Sequence, residues 1–174
     1  MNALYVDGGV IGKNPSEIGG TWAARLVVDG QVTRESSGVI TPTEAELLAI
    51  TNNLTEMLAL VEGLEMLPFG WQGTIYSDSM VTLGRAFLGW KWHNVPLWLQ
   101  REYWQARERL MHWDELTFVL LDGHPTKAQL AAGVGKRGHP VSEHNVWCDH
   151  ACQQVGERLK LSTATAIHDG HVEE

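Results

Sequence analysis

Two extended runs, Thr21–Val28 and Gln31–Val39, stand only two residues apart, and those two residues are Asp29-Gly30. That pair accepts the left-handed backbone of a type I′ turn at little cost, so the runs are predicted to form a tight antiparallel hairpin. A third run, Ala3–Val6, precedes them, and a strand meander therefore opens the chain. The pattern then changes. Asn52–Leu67 carries Leu54, Met57, Leu58, Val61 and Leu64 at helical spacing. Ser79–Leu88, a segment from Pro96 to about Trp113, and Asn145–Leu159 read as further helices, with Pro96 suited to a first helical position. Short extended runs at Thr74–Ser77 and Leu116–Leu121 fall between them. This order of strands and helices implies an α/β domain with a mixed sheet.

The chain has 174 residues, enough for one domain with a substantial core, and 44% of them are apolar. No apolar run approaches the roughly 18 residues that span a bilayer. The N-terminus lacks the basic-then-apolar pattern of a signal peptide. A cytoplasmic, intracellular monomer without membrane contact is expected. Residues 1–160 are expected to form a single folded domain. The stretch 161–174 shows no clear periodicity and is expected to be a flexible tail. The formal charge of −8 argues against broad, non-specific nucleic-acid binding. It does not exclude a nuclease, because carboxylates committed to a cation count as negative in the sequence and not in the working site.

Four acids have distinct local settings. Asp7 closes the first apolar run, and Asp78 closes the run Thr-Ile-Tyr-Ser. Glu56 sits inside the first long helix, and Asp149 lies on the last one. Acids at strand ends lie at the rim of a sheet, where ligands gather. Brought together, they would repel one another unless a cation stood between them. That points to metal-ion chemistry. Glu46 is a rival for the helical position, but it lacks the Asn52-Asn53 pair that precedes Glu56 and leaves a long gap to Asp78. Thr41–Ile50 then reads as an insertion.

The chain resembles the ribonuclease H type 1 family. The resemblance is carried by Tyr5-Val6-Asp7-Gly8-Gly9 with Asn14-Pro15, by Thr51-Asn52-Asn53-Leu54-Thr55-Glu56, by Ser77-Asp78-Ser79, and by Gly138-His139-Pro140 followed by Cys148-Asp149. These motifs come in the family's order and span the chain to about Leu159. Met80 departs from the pattern, standing where the family usually has glutamine, and the basic protrusion of some members is missing between Trp90 and Trp98. A bacterial or bacteriophage protein would suit the compact form.

The resemblance implies a ribonuclease H-like fold, with a five-stranded mixed sheet of order 3-2-1-4-5 and helices on both faces. It implies a metal-dependent endonuclease that hydrolyses the RNA strand of RNA–DNA hybrids by a two-metal-ion mechanism. The cofactor would be two Mg²⁺ ions, with Mn²⁺ as a substitute. Asp7 would bridge both ions, Glu56 and Asp78 would hold one on the leaving-group side, and Asp149 would hold the one that activates water. An assisting histidine is also implied. His124, His139 and His144 are candidates, and His124 is preferred because a strand end fixes its position. Asn14, Asn52 and Asn53 offer amides to sugar and phosphate, or serve as turn and cap residues. Thr51 could hold a phosphate. Trp90, in Trp90-Lys91-Trp92, offers a stacking face or packs in the core. Lys127, Lys136 and Arg137 form a basic flap or a solvated loop. His144, Cys148 and Cys152 share a helical face, as part of a zinc site without an obvious fourth ligand or as small buried residues. Rival readings are another nuclease on the same fold, an exonuclease or junction resolvase, and a non-catalytic hybrid-binding module.

Overall fold

A computed structural model describes residues 1–169 of the chain. Its sheet has five strands: β1 (Asn2–Val10), β2 (Gly20–Val28), β3 (Gln31–Ile40), β4 (Thr74–Ser77) and β5 (Thr117–Leu120). The spatial order is β3-β2-β1-β4-β5, as expected. β1 pairs antiparallel with β2 and parallel with β4. β2–β3 is antiparallel and β4–β5 parallel. The predicted hairpin is present, with Asp29 at φ 50° and Gly30 at φ 78°. β1 runs further than Val6 because its end, through Val10, pairs with the start of β2 at Gly20.

Alternation along β1 sends Leu4 and Val6 to one face and Ala3 and Tyr5 to the other. The first face carries the larger core. It packs against α2 (Asn52–Glu65) and α4 (Leu97–Leu110), with Met57, Leu60, Leu64, Leu99 and Leu110 fully enclosed. The second face is covered by α6 (Glu143–Asp169), whose Cys148, Ala151 and Cys152 meet Ala3, Tyr5, Ala23 and Val27. Helices therefore lie on both faces of the sheet.

The remaining elements are short. Thr41 caps α1 (Pro42–Ala45) in a reciprocal box with Glu44. α3 (Met80–Phe87) follows β4, and a 3₁₀ turn (Trp113–Glu115) precedes β5. Pro96 caps α4 from outside and is not its first helical residue. The loop after β5 contains α5 (Lys127–Ala132), also closed by a capping box, and a small hairpin that bridges Val134 to Pro140. Most of the stretch expected to be a flexible tail is helical, because α6 continues to Asp169. No glycine or proline interrupts it after Gly156, and the Thr163 and Thr165 hydroxyls donate back to the Leu159 and Leu161 carbonyls. The end of that stretch, 170–174, lies outside the described residues. No helix among the described residues is long and apolar enough to cross a membrane.

Candidate active site

The parallel register of β1 and β4 sets Tyr5 opposite Tyr76. Asp7 and Asp78 each follow two residues on, so both carboxylates emerge at the same end of the sheet, on the same face. α2 crosses β1 so closely there that a Cβ on Gly8 would lie 2.4 Å from the carbonyl carbon of Thr55. The close approach delivers Glu56 to the strand. The Gly8 N–H donates to both acids, at 2.9 Å to Asp7 Oδ1 and 3.2 Å to Glu56 Oε2. One oxygen from each of Asp7, Glu56 and Asp78 falls within a mutual 4.8 Å. Glu46 takes no part; it ends α1 at φ 57°.

Burial pushes the Asp7 carboxyl well above its ordinary range, and the charges of Asp78 and Asp149 push it further. Glu56 is raised well above its own range by burial first and then by Asp7 and Asp78. Asp78 is raised by burial, partly offset by a hydrogen bond from Asn145 Nδ2 at 3.4 Å. Three carboxylates that resist ionisation together form a site whose charged state calls for a cation. The donors are all oxygens, which suits Mg²⁺ or Mn²⁺ over a soft metal.

These acids open on a cleft of about 660 Å³ that Asp149, Asn52, Asn53, His124, Lys136 and Arg137 also line. Asp149 stands outside the tight triad. Its Oδ2 lies 3.5 Å from His124 Nδ1, and the His124 ring is otherwise largely exposed. His139 is fixed through its backbone, whose N–H donates to Asp122. His144 does not line the cleft; it is tilted against Tyr5 and stands 3.1 Å from Arg25 Nη1. Burial and Arg25 lower its pKa.

The other expected residues divide. Thr51 caps α2, accepting from the Leu54 N–H at 3.2 Å. Asn14 Oδ1 accepts from the Asn52 N–H at 3.0 Å and ties the first loop to the same helix end. Trp90 is not in the acid cleft. It covers Gly84 and lines a separate aromatic cavity of about 550 Å³ with Trp92, Trp104, Trp113, Arg85 and Arg107. Lys127 does not line the cleft either. Cys148 and Cys152 direct their thiols at the Tyr5 and Asp7 carbonyls, at 3.7 and 3.5 Å. With His144 turned to Arg25, the three do not gather as a zinc site among the described residues.

No family model matches the chain. A Ribonuclease H of Caldanaerobacter subterraneus subsp. tengcongensis is 31% identical over 160 residues, which span 90% of this chain and 92% of that protein. The chain belongs to the ribonuclease H family. A Ribonuclease H of Syntrophus aciditrophicus is also 31% identical, over 168 residues, 91% of this chain and 82% of its own. Among solved structures, the RNase H1 of Halobacterium salinarum NRC-1 superposes with a TM-score of 0.60 at 20% identity, covering 90% of this chain and 98% of that one. LC11-RNase H1, solved in complex with an RNA/DNA hybrid, gives 0.60 at 18% identity, covering 91% and 98%. At such identities the superpositions establish the ribonuclease H fold.

Two polar residues of this ribonuclease H escaped the sequence reading. Asn145 is buried, bonds Asp78, and leaves its own Oδ1 without a partner. Its position one helical turn before Asp149 was the available signal. Asp122, at the end of β5, is buried on the cleft wall. Nothing local marks it, because its partners lie in a loop far along the chain.

Proposed function

We propose that this ribonuclease H is an endonuclease that hydrolyses the RNA strand of RNA–DNA hybrids, leaving 3′-hydroxyl and 5′-phosphate ends. The observation that carries the reading is the convergence of Asp7, Glu56 and Asp78 on one point from a strand, a helix and a second strand. Two Mg²⁺ ions fit this donor set, and Mn²⁺ can substitute. Asp7, the central acid, would touch both ions, Glu56 and Asp78 one, and Asp149 the other. When bound, such ions stabilise charge on phosphoryl oxygens and acidify water.

The chain's own residues do the rest. Asp7 and Glu56 are fixed by the Gly8 N–H, and Asp78 is fixed by Asn145. His124, on the cleft rim beside Asp149, can take or return a proton at the leaving oxygen or at water. Asn52 and Asn53 project from the start of α2 into the cleft, where their amides can reach 2′-hydroxyls and phosphates. Thr51 and Asn14 hold that helix end in place through their acceptor oxygens, and the Thr51 O–H and the Asn14 Nδ2–H can donate to a phosphate. Trp90 follows the far end of α3 from Asp78, about 12 Å along the helix, and presents a partly exposed ring to the strand beyond the cleft.

The test is hydrolysis of an end-labelled hybrid with and without Mg²⁺ or Mn²⁺, with product ends mapped, beside duplex DNA and duplex RNA. Internal, metal-dependent cuts in the RNA strand alone are expected. Cleavage confined to strand ends, or tight binding without cleavage, would replace this reading with an exonuclease or a binding module.

A further inference from the structure

The loop between β5 and α6 brings two cations to an acidic cleft, and a buried carboxylate holds it there. Gly135-Lys136-Arg137-Gly138 forms a turn closed by the Gly138 N–H to the Gly135 carbonyl at 3.2 Å, with Gly138 at φ 86°. Lys136 and Arg137 occupy its tip. Both side chains are exposed, both line the same cleft as the acid triad, and neither forms an ion pair among the described residues.

Asp122 reaches under this turn. Its Oδ2 accepts from the Arg137 N–H at 2.7 Å and the His139 N–H at 3.2 Å. Its own N–H donates to the Pro140 carbonyl at 2.9 Å, and the Gly135 N–H donates to the His139 carbonyl at 2.9 Å. Gly135 passes so close that a Cβ there would sit 2.3 Å from Asp122 Cβ. A carboxylate held by two backbone N–H groups is a charge-assisted anchor, stronger than a neutral turn bond. It sets the height and direction of the turn relative to β5, the strand that carries the cleft wall.

A strand of nucleic acid entering this cleft meets Asp7, Glu56, Asp78 and Asp149 on a chain of formal charge −8. Its phosphates need local positive charge to stay, and the turn tip supplies it. We propose that Asp122 is a positioning residue that locks this turn so that Lys136 and Arg137 clamp a backbone phosphate of the nucleic acid in the acid cleft. The proposal rests on reading the cleft as a nuclease site and adds to it a grip built from the chain's own inserted loop.

The test is fluorescence anisotropy of a labelled RNA–DNA hybrid, with Ca²⁺ in place of Mg²⁺, across a salt series. Each phosphate contact contributes about 0.7–0.9 to the slope of log K against log salt. The double variant Lys136→Ala/Arg137→Ala is expected to lower that slope by about one to two. Both side chains are exposed, so the variant keeps the fold. Asp122→Ala should lower the slope in the same direction, while Asp122→Asn, which retains an acceptor oxygen of the same shape, should preserve it. In the Lys136→Ala/Arg137→Ala background, Asp122→Ala should leave the slope where it is, even though it still lowers the melting temperature. A slope unchanged in the double variant, or lowered further by Asp122→Ala within it, overturns the proposal. Cleavage by the parent chain is scored separately in Mg²⁺ and Mn²⁺. Failure of the nuclease reading would show as intact hybrid, independent of the salt slopes.

Discussion

Gly8→Ala tests how the site is assembled. The added Cβ would lie 2.4 Å from the Thr55 carbonyl carbon and 2.5 Å from both the Thr55 oxygen and the Glu56 nitrogen. Ordinary contact begins near 3.4 Å, so α2 must retreat from β1 by about 1 Å in an interior packed to crystal density. All three opposing atoms are backbone, and no rotamer change relieves them. Overpacking costs about 1–3 kcal/mol, and rigid partners place this case near the top of that range. For a chain of this size that is a fall in melting temperature of about 6–12 °C. The same retreat carries Glu56 away from Asp7 and Asp78, and a misplacement of about 1 Å costs on the order of 10²-fold in rate. Gly9→Ala is the matched control, since its Cβ meets only the Thr21 hydroxyl, at 3.1 Å. Circular dichroism melts and hybrid hydrolysis in Mg²⁺ would be run on both. Parent-like melting and turnover in Gly8→Ala, or equal losses in Gly9→Ala, would refute the argument.

The acids make further predictions. Asp7, Glu56 and Asp78 are raised in the metal-free fold, so the folded state holds protons that the unfolded chain releases. Their contribution to metal-free stability is fully present below the unfolded carboxylate range, 3.8–4.5, and is lost as pH rises through the folded values. A pH series of melts in EDTA should show this decline, and Mg²⁺ should reverse it at neutral pH. Asp7→Asn should melt higher than the parent in EDTA at pH 7, abolish hydrolysis, and lose most of the Mg²⁺ stabilisation, which is about 2.7 kcal/mol for the parent at a hundred times Kd. His124→Ala should slow hybrid turnover by about 10²-fold or more, whereas His144→Ala, away from the cleft lining, should leave it near the parent rate. Burial pushes both cysteine thiols far up, so a disulfide reagent at pH 8 should label them only at the rate at which the chain opens.

The sheet was legible in the sequence because its signals are local. The Asp29-Gly30 turn, the short extended runs and the helical spacing of Leu54, Met57, Leu58 and Val61 each depend on a few neighbouring residues. The triad was legible for a related reason: Asp7 and Asp78 close their apolar runs, even though β1 itself continues to Val10, and Glu56 follows the Asn52-Asn53 pair. What stayed hidden depends on distant backbone. Asp122 is defined by N–H groups 15 and 17 residues later. The length of β1 is set by its pairing with β2. The choice between a stacking face and core packing for Trp90 stayed open, because its seat over Gly84 is set by packing that the local sequence does not mark. The helical end of α6 was missed because residues 161–166 are exposed and show no apolar face, so only the lack of a glycine or proline marked it.

The parallel ladder between β1 and β4 has an evolutionary consequence. Backbone hydrogen bonds, and not the identity of the core side chains, hold Asp7 beside Asp78. Most side chains around the pair can therefore be exchanged, which accords with relatives that share under a third of their residues with this chain. Length is another matter. Removing one residue between Tyr5 and Asp7 would turn Asp7 to the α2 side of the sheet and leave Asp78 without its neighbour. In these two strands, substitution should be widely tolerated and single-residue insertion or deletion almost never.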